Sequence, residues 1–375
     1  MAYTTIDDPS QYFQIALWSG DNADTRNITN DGNSDLQPDW VWIKSRNGSG
    51  NGYSHNVHDT SRGVDSNINK SLFIDQVDAE GGGDNVTTSA QLGGVSAMLS
   101  DGFTVKEGNT DDARYVNKSG NTYVAWQWKA NGGSTTSVSA SGTVLAGTYQ
   151  ANTTAGFSIM TYTGEDDTVN TVTHGLGAVP AWIIVKGRGS GRHWRIYHHR
   201  NTSAPETDYL RLNETGATTD DVNYWYDTAP TSSVFSISTA NDVNANTETY
   251  VAYAFAEVQG YSKFGSYTGN GSEDGPFVYT GFKPQWIMFK NTGAAEEWVL
   301  QDTTRNPNNP VTKNIRVDSN IAEADASSID FDFLSNGFKN RSDQAQVNSS
   351  GVNYIYMAFA EHPFVSSKGV PVTAR

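Results

Sequence analysis

The chain has 375 residues, a formal net charge of −16 at pH 7 and no cysteine. An acidic balance without any Lys- or Arg-rich run argues against a nucleic-acid partner, because nucleic-acid affinity depends on basic contacts to phosphate. The lack of cysteine excludes disulfides, Cys-ligated zinc and thiol chemistry. Thirty-six glycines, 18 tyrosines, 15 phenylalanines and 10 tryptophans are typical of short aromatic strands joined by turns. The composition therefore predicts an all-β globular protein.

No targeting or membrane segment is evident in the sequence. The opening Met1–Asp8 has no basic region and no apolar run, so we do not interpret it as a signal peptide. No stretch approaches the roughly 18 apolar residues that a membrane helix needs. We expect a chain made in a cytoplasm that does not insert into a membrane.

The first two predicted elements each occur three times along the chain. The first is an aromatic strand that ends at a glycine, in the copies Phe13–Gly20, Phe157–Gly164 and Tyr261–Gly269. The second is a Pro-x-Trp strand that closes on a lysine, in the copies Pro38–Lys44, Pro180–Lys186 and Pro284–Lys290. Self-similarity of this kind decides the architecture before any local assignment is made.

Three further elements follow in the same order in each copy. A short strand opens on His or Trp in His55–Asp59, Trp194–His198 and Trp298–Asp302. A turn and strand follow in Ser100–Val105, Ser233–Ile237 and Ser335–Lys339. A Tyr-led strand closes each copy in Tyr123–Trp128, Tyr250–Phe255 and Tyr354–Phe359. We take the leading Trp and Tyr residues as framework anchors: Trp40, Trp182, Trp286, Tyr123, Tyr250 and Tyr354.

The sequence predicts an all-β fold of three tandem β-sandwich modules, jelly-roll or lectin-like, with little helix. The Tyr-led strands alternate bulky and small residues, which predicts that their bulky side faces the sandwich core. The Trp strands are apolar on both faces, which predicts a central position covered on both sides.

The predicted domain boundaries follow from the copies. The modules span residues 1–132, 152–260 and 261–365, with a Gly/Ser/Thr linker at 133–151 and a C-terminal extension at 366–375. The first module carries an insertion of about 15 residues, which we assign largely to the Gly-rich segment after Glu80. The second and third modules should pack rigidly, while the linker leaves the first free to move.

Two groups of titratable residues could support chemistry. His193, His198 and His199, with His174 upstream, could bind a metal or transfer a proton, but His198 aligns with Asp59 and Asp302 in the other copies. Glu257 and Glu361 could form a glycosidase pair, although Ala130 stands at that position in the first copy. We expect neither a metal nor a cofactor, and no enzymatic activity.

Other residues are candidates for contact with a ligand or partner. The matching turns at Asp59–Arg62 and Asp302–Arg305 are either a polar pocket rim or Asx turns with a local ion pair. The run Tyr224, Trp225 and Tyr226 is typical of an exposed aromatic surface, or of burial against another subunit. The acidic runs at 165–167 and 220–221 could bind calcium, but they match no EF-hand loop.

Several segments carry a resemblance to a known family: Tyr3–Pro9, Gly156–Ile159, Tyr162–Gly164, His174–Gly177, Pro180–Lys186, Tyr250–Tyr253 and Gly260–Lys263. Through them the chain resembles, over nearly its whole length, a repeated β-domain of tailed-bacteriophage virion proteins. The turn His174–Gly177 has no clear counterpart in the other copies, so the resemblance assigns it no ligand. Such domains look lectin-like, and the resemblance brings no catalytic residues with it.

The resemblance implies a non-enzymatic virion protein, made in the host bacterial cytoplasm, that serves as a tail fibre or receptor-binding component. Expected partners are other virion proteins, copies of the same chain (a trimer is favoured) and host surface glycan or protein. A capsid decoration or head-fibre protein is the alternative, since the chain has no coiled-coil shaft. A free carbohydrate-binding or carbohydrate-active protein is the third possibility.

Overall fold

The computed structural model of the chain describes residues 4–48, 53–64, 68, 70–82, 92–108, 115–325 and 328–363. Its first eight strands form sandwich one. They are β1 (Phe13–Ser19), β2 (Thr25–Ile28), β3 (Trp40–Ser45), β4 (Asn56–Asp59), β5 (Leu72–Phe73), β6 (Gly94–Leu99), β7 (Gly102–Lys106) and β8 (Thr122–Trp128).

The next ten strands form sandwich two. They are β9 (Thr136–Val138), β10 (Gly147–Asn152), β11 (Phe157–Thr163), β12 (Asn170–Thr173), β13 (Trp182–Gly187), β14 (Arg195–His198), β15 (Asp208–Arg211), β16 (Thr219–Asp220), β17 (Val234–Ile237) and β18 (Thr249–Phe255).

The last nine strands form sandwich three. They are β19 (Ser262–Thr268), β20 (Phe277–Tyr279), β21 (Phe282–Asn291), β22 (Val299–Asp302), β23 (Lys313–Arg316), β24 (Ala324–Asp325), β25 (Phe331–Leu334), β26 (Gly337–Asn340) and β27 (Asn353–Pro363).

Helix is confined to short pieces in the described chain, which confirms the all-β prediction. The helices are α1 (Val222–Trp225), α2 (Asn241–Asn244) and α3 (Ala345–Asn348), and 3-10 turns lie at Pro9–Gln11 and Pro205–Thr207. None of the helices in these ranges is long or apolar enough to cross a membrane.

The large sheets of the three sandwiches share one antiparallel strand order. It runs β1-β8-β3-β4-β5 in sandwich one, β11-β18-β13-β14-β15 within the sheet of sandwich two, and β19-β27-β21-β22-β23 within that of sandwich three. The Trp strands (β3, β13 and β21) are therefore central, as predicted. The small sheets are β2-β7-β6, β12-β17 and β20-β26-β25.

Sandwich two extends into the segment that the sequence predicts as a linker. Strand β9 pairs with β10, and β10 pairs with β11 over six residues, so this segment adds two strands to the large sheet. The linker prediction for 133–151 is wrong in this respect, because Leu145 lies in the core of sandwich two and Tyr149 and Ala151 pack against it. The extension at 366–375 lies outside the described residues.

The anchor tyrosines hold β1, β11 and β19 to the neighbouring Tyr strands, β8, β18 and β27 respectively. Their rings stack on Trp18, Tyr162 and Tyr267 at centroid distances of 5.3, 5.0 and 5.1 Å. Each hydroxyl also accepts a bond from the backbone N–H five residues upstream, at Lys118, Ala245 and Ser349. The same tyrosines therefore fix the loop before the strand.

Each large sheet buries both of its faces, in two different cores. One face packs on the small sheet of its own sandwich, which gives three separate interior clusters. The other face enters a shared core whose members come from all three large sheets. The bulky side of the Tyr strands, Trp126 and Trp128 among them, lies in this shared core. The prediction that it faces the sandwich interior is therefore wrong.

The shared core centres on three equivalent aromatic rings. Trp128, Phe255 and Phe359 each pair with the anchor Trp of their own sheet. Their ring centroids lie 5.6 to 6.3 Å apart, edge to face, a favourable aromatic geometry. Sandwich one is held in this core and is not a freely moving module.

Candidate functional site: the three junctions and the outer surface

The residue opposite each anchor tryptophan lies where two sandwiches meet. Trp40 pairs with Asp59, Trp182 with His198 and Trp286 with Asp302, which confirms the alignment of these three residues. All three partners are buried. We call their surroundings the first junction (sandwiches one and two), the second (two and three) and the third (three and one).

The first junction contains a network of charged side chains that joins sandwiches one and two. Arg62 donates through its backbone N–H to Asp59 Oδ1 at 2.8 Å and forms an ion pair with the same carboxylate through Nε. Tyr253 of sandwich two donates its hydroxyl to Asp59 Oδ2 at 2.7 Å. Arg188 of sandwich two in turn forms an ion pair with Glu80, which also lies near Arg62.

The third junction repeats this arrangement. Arg305 donates to Asp302 from its backbone N–H at 2.8 Å and from Nε at 2.6 Å, and its Nη1 pairs with Glu323 at 2.8 Å. Trp126 of sandwich one donates its indole N–H to Asp302 Oδ2 at 3.1 Å. Arg46 of sandwich one binds Glu323 through two nitrogens, at 2.9 and 3.0 Å.

The second junction keeps the geometry with neutral groups. His198 accepts at Nδ1 from the Arg200 N–H and bonds through Nε2 to the Tyr356 carbonyl of sandwich three at 3.3 Å, which defines a neutral Nε2–H imidazole. Thr218 donates its hydroxyl to Asn201, and its backbone N–H donates to Thr292 O. Asn201 and Thr218 thus stand where the other junctions have Arg and Glu.

The residue that faces each of these positions from across the junction is a hydrogen-bond donor at the two charged junctions and not at the neutral one. Tyr253 and Trp126 occupy equivalent positions of their Tyr strands, and both are donors to an aspartate. Met357 stands at this position in sandwich three, opposite Phe264 and Met288. A thioether cannot donate, so an unneutralised carboxylate at position 198 would be buried without a side-chain donor from across the junction.

Lysines close the three Trp strands and bind across the same junctions. Lys44, Lys186 and Lys290 donate to the carbonyls of Asn320, Val77 and Thr215, each on the neighbouring sandwich, at 3.0, 2.7 and 2.6 Å. Burial lowers the pKa of Lys186 to about 7 and of Lys44 and Lys290 to about 8. These lysines are structural, since their ammonium hydrogens bind backbone oxygens.

A second set of cross-junction bonds comes from the residue that opens the third predicted strand. His55 bonds through Nε2 to Arg316 O at 2.8 Å, and the Trp194 and Trp298 indoles donate to Phe73 O and Arg211 O, both at 2.8 Å. The acceptors occupy matching positions on β5, β15 and β23. Each sandwich is therefore bonded to both of the others, and the three junctions form a closed cycle.

The proposed polar rim does not reach solvent. The side chains of Asp59, Arg62, Asp302 and Arg305 are all 0% exposed, because they are enclosed between sandwiches. The pocket-rim interpretation is therefore wrong for these four residues. The alternative interpretation, a turn with a local ion pair, describes them correctly.

The predicted aromatic surface at residues 224–226 is largely interior. Trp225 is 2% exposed and donates to Asp208 O at 3.0 Å, while the Tyr224 ring packs on Tyr209 and the Arg195 guanidinium. Tyr226, the C-cap of α1, is 38% exposed. This short helix turns two rings inward and leaves one for contact.

The other titratable candidates form neither the predicted histidine cluster nor the glutamate pair. The His199 ring bonds to Phe264 O and lies 3.7 Å from Glu257, which pairs with Lys263 at 2.8 Å. Glu361 pairs instead with Lys283 at 2.9 Å. Within the described ranges, no three His, Asp or Glu side chains are arranged to hold a metal ion.

Two outer features were not predicted from the sequence. A polar cleft between sandwiches one and three is lined by Asp8, Gln14, Asp31, Thr304, Glu361 and His362, among others. The strand β20 presents Phe277 and Tyr279, which are 47% and 55% exposed, on the outside of sandwich three. The signal for the second was present in the alternation Phe-Val-Tyr between Gly275 and Gly281.

The fold and junctions define an all-β protein in which three sandwiches surround a shared core. The chain belongs to the family described as "Domain of unknown function (DUF7483)", whose model matches residues 8–363. The comparisons of this chain with curated proteins and with solved structures found no match.

The neutral second junction can be tested by giving it the charges of the others. We expect His198→Asp to lower the free energy of unfolding by about 3 kcal/mol or more, because the carboxylate would be buried without a cation. The double variant His198→Asp with Asn201→Arg should recover at least half of that loss. Urea unfolding of the wild type, both single variants and the double variant gives the coupling energy. A double variant no more stable than His198→Asp would contradict this account.

The buried histidines predict a loss of stability in acid. Burial lowers the pKa of His58 to about 3, below its ordinary value of 6.5, so its contribution to stability is complete above pH 6.5 and is lost as the pH falls towards 3. Between pH 6 and pH 4 the slope of unfolding free energy against pH should be smaller in His58→Gln by about 1.4 kcal/mol per unit, one proton's worth. Urea unfolding across this range measures the slope, with the exposed His362→Gln as the control. Equal slopes in wild type and His58→Gln would refute the assignment.

Proposed function

We propose that this chain is a non-enzymatic surface protein of a tailed-phage virion, acting as a tail-fibre or receptor-binding component. The proposal depends on one observation: the polar residues that recur at matching positions of the sandwiches are buried and have structural partners. The buried aspartates, arginines and lysines at matching positions bind one another or backbone carbonyls of a neighbouring sandwich. They maintain the body of the protein, and its contacts with other molecules fall to outer residues that differ between sandwiches.

Rigidity supports a role in adhesion. A body whose three sandwiches share one aromatic core loses little conformational freedom when it binds, so its outer residues are preorganised for contact. The acidic net charge of −16 favours colloidal stability of an exposed virion part. Partners on this proposal are other virion proteins and a host surface glycan or protein.

Capsid decoration is the second candidate, and one observation favours it. The cyclic junctions place three equivalent sheets round a common core within a single chain, as a homotrimer would do with three chains. A chain with this internal cycle can fill a capsid site as a monomer. The homotrimer expected for a fibre then becomes unnecessary, and light scattering should give the monomer mass of 40.7 kDa.

The position of the chain in an imaged virion tests the proposal. We expect density that fits the three sandwiches at the tail, and labelling by an antibody against the chain at the same place. Regular occupancy over the capsid lattice would contradict the fibre role and favour decoration. Absence of the chain from purified virions would contradict both. Release of reducing sugar from a host polysaccharide by the purified protein would overturn the non-enzymatic assignment.

A further inference from the structure

We propose that the outer face of the small sheet of sandwich three is a binding site for neutral pyranose sugars. This aromatic face consists of Phe277 and Tyr279 on β20, Gly337 and Lys339 on β26, and Asp332 and Leu334 on β25, which share two cross-strand rows. The inference deepens the proposed adhesive function and rests on it for its biological role.

The two rings are displayed because of strand geometry. Val278 points inward and is 9% exposed, so its neighbours Phe277 and Tyr279 both point outward. They are two residues apart on one strand, which sets the rings side by side at about 7 Å. Gly337, opposite Tyr279, adds no side chain to the sheet face beside that ring.

The equivalent positions of the other sandwiches carry small polar residues. Phe277 pairs with the residue after the buried Phe338, as Thr171 does with the residue after Phe235 and Asn27 with the residue after Phe103. Tyr279 similarly corresponds to Thr173. The same small sheet therefore forms without aromatic rings at these positions in sandwiches one and two.

The border of the aromatic face supplies both hydrogen-bond donors and hydrogen-bond acceptors. Lys339 pairs with Asp274 at 2.6 Å, and Arg341 pairs with Asp332 at 2.6 Å. The Asp274 and Arg341 side chains are 82% and 43% exposed, so they can also reach a ligand. Because the charges are paired, the face favours a neutral ligand with many hydroxyls.

The size of the face favours a sugar over a protein. Each half-exposed ring offers on the order of 100 Å² of apolar surface, since an aromatic side chain carries roughly 200 Å². A stable protein interface needs about 800 Å² from each partner, with an apolar centre that excludes charge. One pyranose instead covers a single ring with its C–H face and directs its hydroxyls to the polar border.

The test is a titration of the full-length protein, labelled with ¹³C on the Phe and Tyr rings, with methyl glycosides of glucose, galactose, mannose and N-acetylglucosamine. We expect at least one to shift the Phe277 and Tyr279 ring signals with a Kd on the order of millimolar. Phe277→Thr with Tyr279→Thr, which introduces the residues of sandwich two, should weaken binding about tenfold or more. Because this variant lacks the two ring signals, its binding and that of the wild type are compared through the backbone amide shifts of Gly337 and Lys339, which lie opposite the replaced residues. The matched control Tyr226→Thr removes an exposed ring elsewhere and should leave binding unchanged.

Three outcomes would overturn the site. They are no shift with any of the four glycosides at about tenfold the expected Kd, equal binding by the double variant, or rings that respond only to a virion protein. The proposed function is tested separately, by the position of the chain in the particle. If the chain is a virion component but shows no ring shifts, the proposed function stands and the sugar site is refuted. If the rings shift but the chain is absent from virions, the sugar site stands and the proposed function is refuted.

Discussion

The structure depends on one constraint: each large sheet is apolar on both faces, and a single sandwich can cover only one of them. The second face, which carries Trp128, Phe255 and Phe359, would be exposed in an isolated sandwich. Packing the three sheets round these rings removes that surface from water, at roughly 25 cal/mol for each Å² of apolar area. The cyclic arrangement follows, because each sheet needs the other two.

Closing the cycle buries polar strand ends as well as rings, and every such group needs a partner. Two junctions meet this need with an aspartate, an arginine and a glutamate, completed by Tyr253 or Trp126 from across the junction. The second junction, which faces Met357, uses His198 and Asn201 without charge. The donor available across the junction thus decides which residue can stand opposite the anchor tryptophan.

The strands of each sandwich could be predicted from the sequence, but the packing of the three sandwiches round a shared core could not. The order of strands along the chain, the central Trp strands and the equivalence of His198 with Asp59 and Asp302 follow from aligning the copies, because strand period is a local property. Alternation could not say which of two cores receives Trp126, since both are apolar. Nor could it show that Asp59 and Arg62 are interior, because burial of an ion pair depends on a neighbour far away in the chain. The Phe-Val-Tyr alternation marks Phe277 and Tyr279 as one face of a strand, but aromatic residues are common on the buried faces of this chain, so the alternation does not show that this face is exposed.

Native-state hydrogen exchange, read peptide by peptide in increasing urea, tests most directly whether the three sandwiches form one body. The account predicts that backbone amides of β3, β13 and β21 exchange through one global opening with the same free energy and the same dependence on urea. A separate opening of sandwich one at lower urea, with β13 and β21 still protected, would contradict the shared core.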